Sequence, residues 1–132
     1  MTSTVEALLD AYFAALEAGT PLEAFYATDA EAGELGPVVK IGSGRGEVYV
    51  GRAQVAEAVR SVGESLTENR LERRARRVVR VAGDVAFFAD VAWWSGMDQG
   101  KRFGSLTRWT GVCLRVQGGW KLLHLHVSEE AE

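Results

Sequence analysis

Both histidines of this 132-residue chain fall in one stretch near its C-terminus, Gly119-Trp120-Lys121-Leu122-Leu123-His124-Leu125-His126-Val127-Ser128. In an extended strand, side chains two residues apart point the same way, about 6–7 Å from each other, close enough to share a metal ion. A metal needs further ligands, and the strand register derived below sets no carboxylate beside the pair. Packing at an interface between two copies is the favoured reading, and no metal site is assigned. Imidazoles in such an interface would charge near pH about 6.5, which leaves a pH-sensing role open. Asp90 is the second candidate, flanked on its own strand face by Phe88 and Ala92. Aspartate is rarely buried without partners. It reads either as a rung in a structural ladder of charges or as the polar end of a pocket, a general base or an acceptor that orients a ligand hydroxyl. Neighbouring arginines favour the carboxylate over the acid, so a proton donor is the wrong role for it. Tyr12 is the third, a tyrosine within an apolar helical stripe, suited first to a core.

The elements that position these residues can be read from periodicity. Val5, Leu8, Leu9, Tyr12, Phe13 and Leu16 recur at helical spacing, with Ser3 and Glu6 as a capping box and Gly19 as the stop. Thr20-Pro21-Leu22-Glu23 carries the start signals of a second short helix. A glycine-rich segment from Gly33 to Gly51 holds two strand candidates, "VVKI" and "EVYV". A third helix presents Val55, Val59, Val62 and Leu66 on one face. From Asn69 onward the period is two, cut by hairpin signals at Gly83-Asp84, Asp98-Gln99-Gly100 and Gly118-Gly119. Helices followed by a four-stranded meander predict an α+β domain, with helices covering one face of a bent sheet.

Directly paired residues of antiparallel strands share a face, so the turns fix what lines up. Gly83-Asp84 sets Val79 opposite Phe88, Arg77 opposite Asp90 and Arg73 opposite Trp94. A three-residue loop at Asp98-Gln99-Gly100 sets Asp90 opposite Arg108 and Phe88 opposite Thr110. A Gly118-Gly119 turn sets Leu114 opposite Leu123, Val112 opposite Leu125, Thr110 opposite Val127 and Arg108 opposite Glu129. The concave face then carries Val79, Phe88, Ala92, Trp94, Val112, Leu123, Leu125 and Val127, crossed by the charged row Arg77, Asp90, Arg108 and Glu129. The outer face carries Phe87, Val91, Trp93, Trp109, Cys113, Trp120, Leu122, His124 and His126. That face is too apolar for water and predicts a dimer through it.

Length allows one domain over residues 1–132, and 47% hydrophobic with 25% charged residues is ordinary for a globular chain. A net charge of −3 favours neither nucleic acid nor an anionic membrane. The run "RLERRARRVVR" splits its arginines between two strand faces without interleaved aromatics, so no nucleic-acid partner is assigned. No apolar stretch is long enough to span a bilayer, no signal peptide is visible, and the single cysteine, Cys113, suits a reducing cytoplasm.

In order along the chain, "YFAALEAG", "PLEAFYATDA", "VYVGRAQVAEAV", "VAGDVAFFADVAWW" and "GGWKLLHLHVS" resemble the SnoaL-like group of the nuclear transport factor two-like superfamily. The resemblance implies a cone-shaped fold, a bent antiparallel sheet wrapped around N-terminal helices and enclosing a pocket. Ketosteroid isomerases, polyketide cyclases, scytalone dehydratases and limonene epoxide hydrolases share that fold. So do the association domains of calmodulin-dependent kinases, whose closing His-x-His-x-Ser is similar to His124, His126 and Ser128. By this resemblance Tyr12 stands where the isomerases have an oxyanion-stabilising tyrosine, and Leu123, Leu125 and Val127 match their pocket positions. Two departures stand out. The isomerase base is an aspartate on the first strand, where this chain has a longer glycine-rich segment with Glu34 and Glu47 nearby. The oxyanion-hole acid falls near Thr110, which cannot serve that role.

The expectation is a cytoplasmic homodimer binding a small organic ligand, without cofactor, metal, nucleic acid or membrane. Asp90 and Tyr12 are the catalytic candidates. Arg77, Phe88, Trp94, Arg108, Thr110, Val112, Leu123, Leu125 and Val127 are the ligand-binding ones. A binding or assembly module and a cofactor-independent isomerase, cyclase or dehydratase both remain open; the enzyme needs Tyr12 and Asp90 to converge on one cavity.

Overall fold

The computed structural model describes residues 4–130. Helix α1 spans Val5–Ala18. Its cap is Thr4, whose hydroxyl accepts the Ala7 N–H at 3.0 Å; the Ser3 half of the expected capping box lies outside the described residues. Gly19 ends the helix in the left-handed region, at φ 72°. The helix expected at Thr20 contracts to one 3₁₀ turn, Glu23–Phe25, because the Thr20 hydroxyl donates back to the Ala15 carbonyl instead of capping forward. A complete capping box does occur, at Thr28 and Glu31, and starts the short helix α2, Asp29–Ala32. Helix α3 spans Arg52–Ser65 and buries Val55, Ala58 and Val59.

Among the described residues seven strands form one sheet: β1 Val39–Ile41, β2 Val48–Val50, β3 Leu66–Arg73, β4 Val78–Ala82, β5 Val85–Asp98, β6 Lys101–Val116 and β7 Gly119–Glu129. The order is β2-β1-β7-β6-β5-β3, with β4 also pairing β5. The sheet is antiparallel except between β1 and β7, which run parallel. The strand expected from Asn69 to Ala82 is two: β3 pairs with the second half of β5 and β4 with its first half. The break at 74–77 between β3 and β4 puts Arg73 opposite Ala92 and not Trp94, and a further register shift follows between Thr67 and Arg70, next to Glu68 at φ 54°.

The Gly83-Asp84 turn pairs Val79 with Phe88, as expected. The other two turns differ from expectation. The β5–β6 connection is a two-residue turn, Gln99-Gly100, with both φ positive (51° and 85°), so Asp98 pairs with Lys101. One residue of slip inverts all of β6. Asp90 therefore faces Trp109 across the ladder, Phe88 faces Gly111, and Ala86 faces Cys113. Trp109 and Cys113 are buried inside, whereas Arg108 and Thr110 are exposed and Val112 lies on the same outer side. The β6–β7 turn is Gln117-Gly118, and a bulge follows: Cys113 pairs with Leu122 but Val112 with His124, leaving Leu123 as the extra residue. The bulge inverts β7 a second time. Leu125 and Val127 return to the inner face with Leu122 and Trp120, and Leu123 stands outside the regular alternation. Gly111 is required where it stands, since a Cβ would overlap the His124 carbonyl oxygen and meet the Phe88 ring at 2.7 Å.

The core lies between this inner face and the helices: Leu8, Leu9, Tyr12 and Leu16 of α1 and Val55 and Val59 of α3 against Phe88, Trp109, Leu125 and Val127. Each such side chain contributes about 1.5–3 kcal/mol on burial. No helix of the described residues is long and apolar enough to cross a membrane.

Candidate functional site

A cavity of about 340 Å³ opens at one end of the inner face. Its walls are Tyr12 and Leu16 of α1, Leu22, Val59 and Val62 of α3, and Trp94, Trp109 and Val127 of the sheet. Its rim is polar, with Lys40, Ser43, Glu47, Asp98 and Glu129. Leu16, Leu22, Val59 and Leu66 also border a second hollow of about 260 Å³ on the side of Pro21 and Gly63.

The aromatic wall is pinned by hydrogen bonds. Trp109 Nε1–H donates to Thr107 Oγ1 at 2.7 Å, and that hydroxyl donates to the Ala92 carbonyl at 2.7 Å. Trp94 Nε1–H donates to Asn69 Oδ1 at 2.9 Å. The Trp94 and Trp109 rings sit 5.8 Å apart, and Phe13 and Tyr12 meet Trp109 edge-on at 5.0 and 6.4 Å. Two indoles fixed in this way form a rigid surface for a flat or apolar ligand.

Tyr12 and Tyr26 share a hydrogen bond of 2.7 Å between their hydroxyls, both fully enclosed. Burial pushes both phenols above their ordinary value of about 10; for Tyr12 the bond to Tyr26 works the other way but is the smaller effect. They are therefore neutral donors at physiological pH. Cys113 is likewise pushed up, to about 12, by burial alone, and belongs to the core.

Lys40 is the group sequence reasoning passed over. The strand "VVKI" was recognised, but only its parallel pairing with β7 shows that Lys40 shares a face with Leu125. It reaches the cavity from β1, the strand on which the resemblance implies an aspartate. Its ammonium lies 5.9 Å from the centre of the Tyr49 ring. Among the described residues no carboxylate stands within ion-pair distance of it. Burial lowers its pKa below the ordinary 10.5, partly countered by the charge of Glu47. Glu47 caps the glycine-rich loop, where its Oε2 accepts the Gly44 N–H at 2.5 Å. A Cβ on Gly42 or Gly44 would meet that carboxylate and displace it. Glu34 is exposed, in a 3₁₀ turn outside the cavity.

Asp90 does sit beside Arg77, as expected, but at the other end of the inner face. Both side chains are 1% exposed, and Arg77 Nε–H donates to Asp90 Oδ2 at 2.7 Å. Asp90 Oδ1 accepts the Val91 N–H at 3.0 Å, with Arg73 Nε at 3.7 Å. Arg77 Nη1 reaches Glu6 Oε2 and Asp10 Oδ1, each at 2.8 Å. Burial alone would lower the Arg77 pKa, but the bonds to Asp90, Asp10 and Glu6 outweigh it and hold the guanidinium above its ordinary value. This ion-pair cluster ties α1 to β5, with Arg77 Nη2 left buried and without a partner among the described residues, and Asp90 is not on the cavity wall. Arg108, expected as its second partner, points outward and donates to the Glu129 carbonyl at 3.3 Å. Of the other expected ligand residues, Trp94 and Val127 line the cavity, Phe88 and Leu125 are core, and Thr110 and Val112 are on the outer face. Tyr12 and Asp90 thus do not converge.

His124 and His126 are on the outer face, as expected, in rows that the ladders define: Val50, Val39, His124, Val112, Phe87 and Val48, Ile41, His126, Thr110, Ala89. His124 Nδ1 is 3.0 Å from the Val39 carbonyl oxygen. Phe87, Val48 and Val50 on this face are about half exposed, at 53%, 57% and 48%.

Among solved structures, the chain is similar to an NTF2-like family protein from Streptomyces avermitilis named as a candidate dehydratase, with 22% identity over 97% of this chain and 95% of that one and a TM-score of 0.85. A candidate calcium/calmodulin dependent protein kinase II association domain from Xanthomonas campestris matches at 26% identity, 97% and 86% coverage and a TM-score of 0.78. An NTF2-like protein of unknown function in nutrient uptake from Rhodospirillum rubrum matches at 26% identity, 98% and 100% coverage and 0.76. No curated protein matches the chain significantly. The model of the SnoaL-like domain matches residues 5–131. With nearly the whole chain matched, and with a bent sheet closed over by its N-terminal helices, the chain belongs to the SnoaL-like family of NTF2-like domains.

Proposed function

We propose that this domain binds a small, largely apolar organic molecule in the cavity between α1, α3 and the inner sheet face, as a homodimer joined through the outer face. The observation that carries the reading is the cavity itself. Its volume of about 340 Å³ is in the range of small-molecule sites, and its lining is mostly apolar and aromatic with a few polar groups. Uptake of the neutral fluorophore N-phenylnaphthylamine tests it. Val62→Trp, at the half-buried wall, should weaken uptake by about tenfold or more by filling the space. Unchanged uptake in that variant would place the probe elsewhere and remove the reading's support. The outer rows of Phe87, Val112, Val39, Val48 and Val50 support the dimer. Such an interface should bury about 1,000 Å² or more. Phe87→Glu should convert the dimer to a monomer in sedimentation; a monomeric parent protein would end the idea. The buried thiol of Cys113 fits a reducing compartment, and we assign the protein to the cytoplasm on that ground.

A second reading, a cofactor-independent isomerase, cyclase or dehydratase, draws on the Tyr12–Tyr26 pair. If Tyr26 donates to Tyr12, the Tyr12 proton is left to donate to a ligand oxygen at the cavity wall. Asp90 has no part in that chemistry, since its oxygens are already engaged by Arg77 and the Val91 N–H.

A further inference from the structure

We propose that Lys40 is a covalent anchor of the cavity, its amine condensing with the aldehyde or ketone carbonyl of an apolar ligand to form an imine. The proposal rests on the cavity-binding reading and specifies its ligand class.

Three observations lead to it. Among the described residues Lys40 is the one basic side chain lining the cavity, at its rim, and it stands on the inner face of β1 beside Leu125. Among the described residues its amine has the ring of Tyr49 for company and no ion-pair partner. Arg77, a fully buried base at the other end of this face, has three carboxylates; a structural cation is neutralised in that way, and the partly buried Lys40 is not. The apolar setting favours the neutral amine, which is the nucleophilic form.

The rim decides against an anionic ligand. Glu47, Asp98 and Glu129 stand around the same opening, so its formal charge including Lys40 is negative, and a carboxylate would be repelled. A neutral carbonyl compound meets no such field. The nitrogen lone pair adds to the carbonyl carbon and the π pair moves to oxygen. An amine proton is transferred to that oxygen, giving the carbinolamine. Departure of the hydroxyl with the second amine proton, as water, leaves the C=N bond. No oxidant or reductant is consumed, and the reverse reaction releases the ligand.

The chain contains three lysines, Lys40, Lys101 and Lys121, which makes the test internal. The intact protein is treated with limiting octanal and sodium cyanoborohydride at neutral pH, and reductive alkylation of each lysine is followed by peptide mass spectrometry. Lys40 should react about tenfold or more faster than Lys101 and Lys121. Octanol, which fills the cavity without a carbonyl, should slow Lys40 alone. The Lys40→Arg variant should lose the fast adduct, since a guanidinium forms no imine under these conditions, while Lys101 and Lys121 label as before. Labelling of Lys40 no faster than that of the other two would overturn the proposal, and so would protection by octanoate that exceeds protection by octanol. If the fluorophore binds and octanol displaces it while Lys40 stays unlabelled, only the imine falls. If the fluorophore does not bind and Lys40 stays unlabelled, the cavity-binding reading falls as well.

Discussion

Two basic residues face the inside of the same sheet, and their surroundings are opposite. Arg77 at one end is closed in by Asp90, Glu6 and Asp10, and its Nε–H and Nη1 are all engaged. Lys40 at the other end faces a void and an aromatic ring. The first arrangement offers a ligand no free carboxylate, because each is already bound to the guanidinium, and Arg77 Nη2, which has no partner among the described residues, is buried away from the cavity. The second carries an incompletely compensated group beside open space, at a cost in stability that a purely structural site has no reason to bear. Burial of charge alone therefore does not mark a site; buried polarity with an unused valence next to a cavity does.

The largest effect should come from breaking the closed end. Asp90→Ala leaves Arg77 buried with only the half-exposed Glu6 and Asp10, and should cost about 3–5 kcal/mol in urea denaturation. Fluorophore uptake by the folded fraction should be unchanged; a loss of uptake with little loss of stability would make Asp90 part of the ligand site and reverse the comparison. The tyrosine pair comes next. Tyr12→Phe strands the Tyr26 hydroxyl in the core and should cost about 1–3 kcal/mol, whereas the double change Tyr12→Phe with Tyr26→Phe should recover part of it. Both phenols are raised in the folded state. The unfolded chain thus loses their protons first, and stability should fall as pH rises above the ordinary value of about 10. Denaturation midpoints from pH 9 upward check the sign, and the double phenylalanine variant should flatten the fall.

Lys40→Met should leave stability unchanged or raise it by about 1 kcal/mol or less, since it removes a desolvated cation with no ion-pair partner. Lowering of the Lys40 pKa means that between its folded value and 10.5 the unfolded chain holds more protons, so this lysine makes stability rise with pH; the methionine variant should lack that rise. A marked loss of stability in Lys40→Met would turn the lysine into a strut like Arg77. The smallest effect is expected of Arg108→Ala. With its side chain outside the sheet, the change should stay within about 0.5 kcal/mol, where a partner of buried Asp90 would cost several times more.

Much of the fold was legible because local chemistry fixed it. The α1 stripe, the Gly19 stop, the strands "VVKI" and "EVYV" and the Gly83-Asp84 turn all stand as expected, and with that turn came Arg77 beside Asp90. The candidate site was legible only in part. Tyr12, Trp94 and Val127 line the cavity, but Asp90 and Arg77 were placed there by a charged row that does not exist. Leu125 and Val127 reached the correct face through two errors that cancel, the slip at Gln99-Gly100 and the unforeseen bulge at Leu123.

The sequence by itself determined the order and type of elements, since capping hydroxyls, left-handed glycines and apolar period act over a few residues. Only the tertiary structure decided which side of β6 is inside. Both of its alternate sets are apolar enough to be buried, Trp109 and Cys113 on one side and Leu106 and Val112 on the other, and glycine permits a two- or a three-residue turn at Asp98-Gln99-Gly100 alike. The choice comes from packing: Gly111 gives the Phe88 ring room across the ladder, and Trp109 fits against Phe13 and Tyr12 of α1. Lys40 entered the site by the same route, because the parallel pairing of β1 with β7 is a contact between segments some eighty residues apart that no local signal encodes.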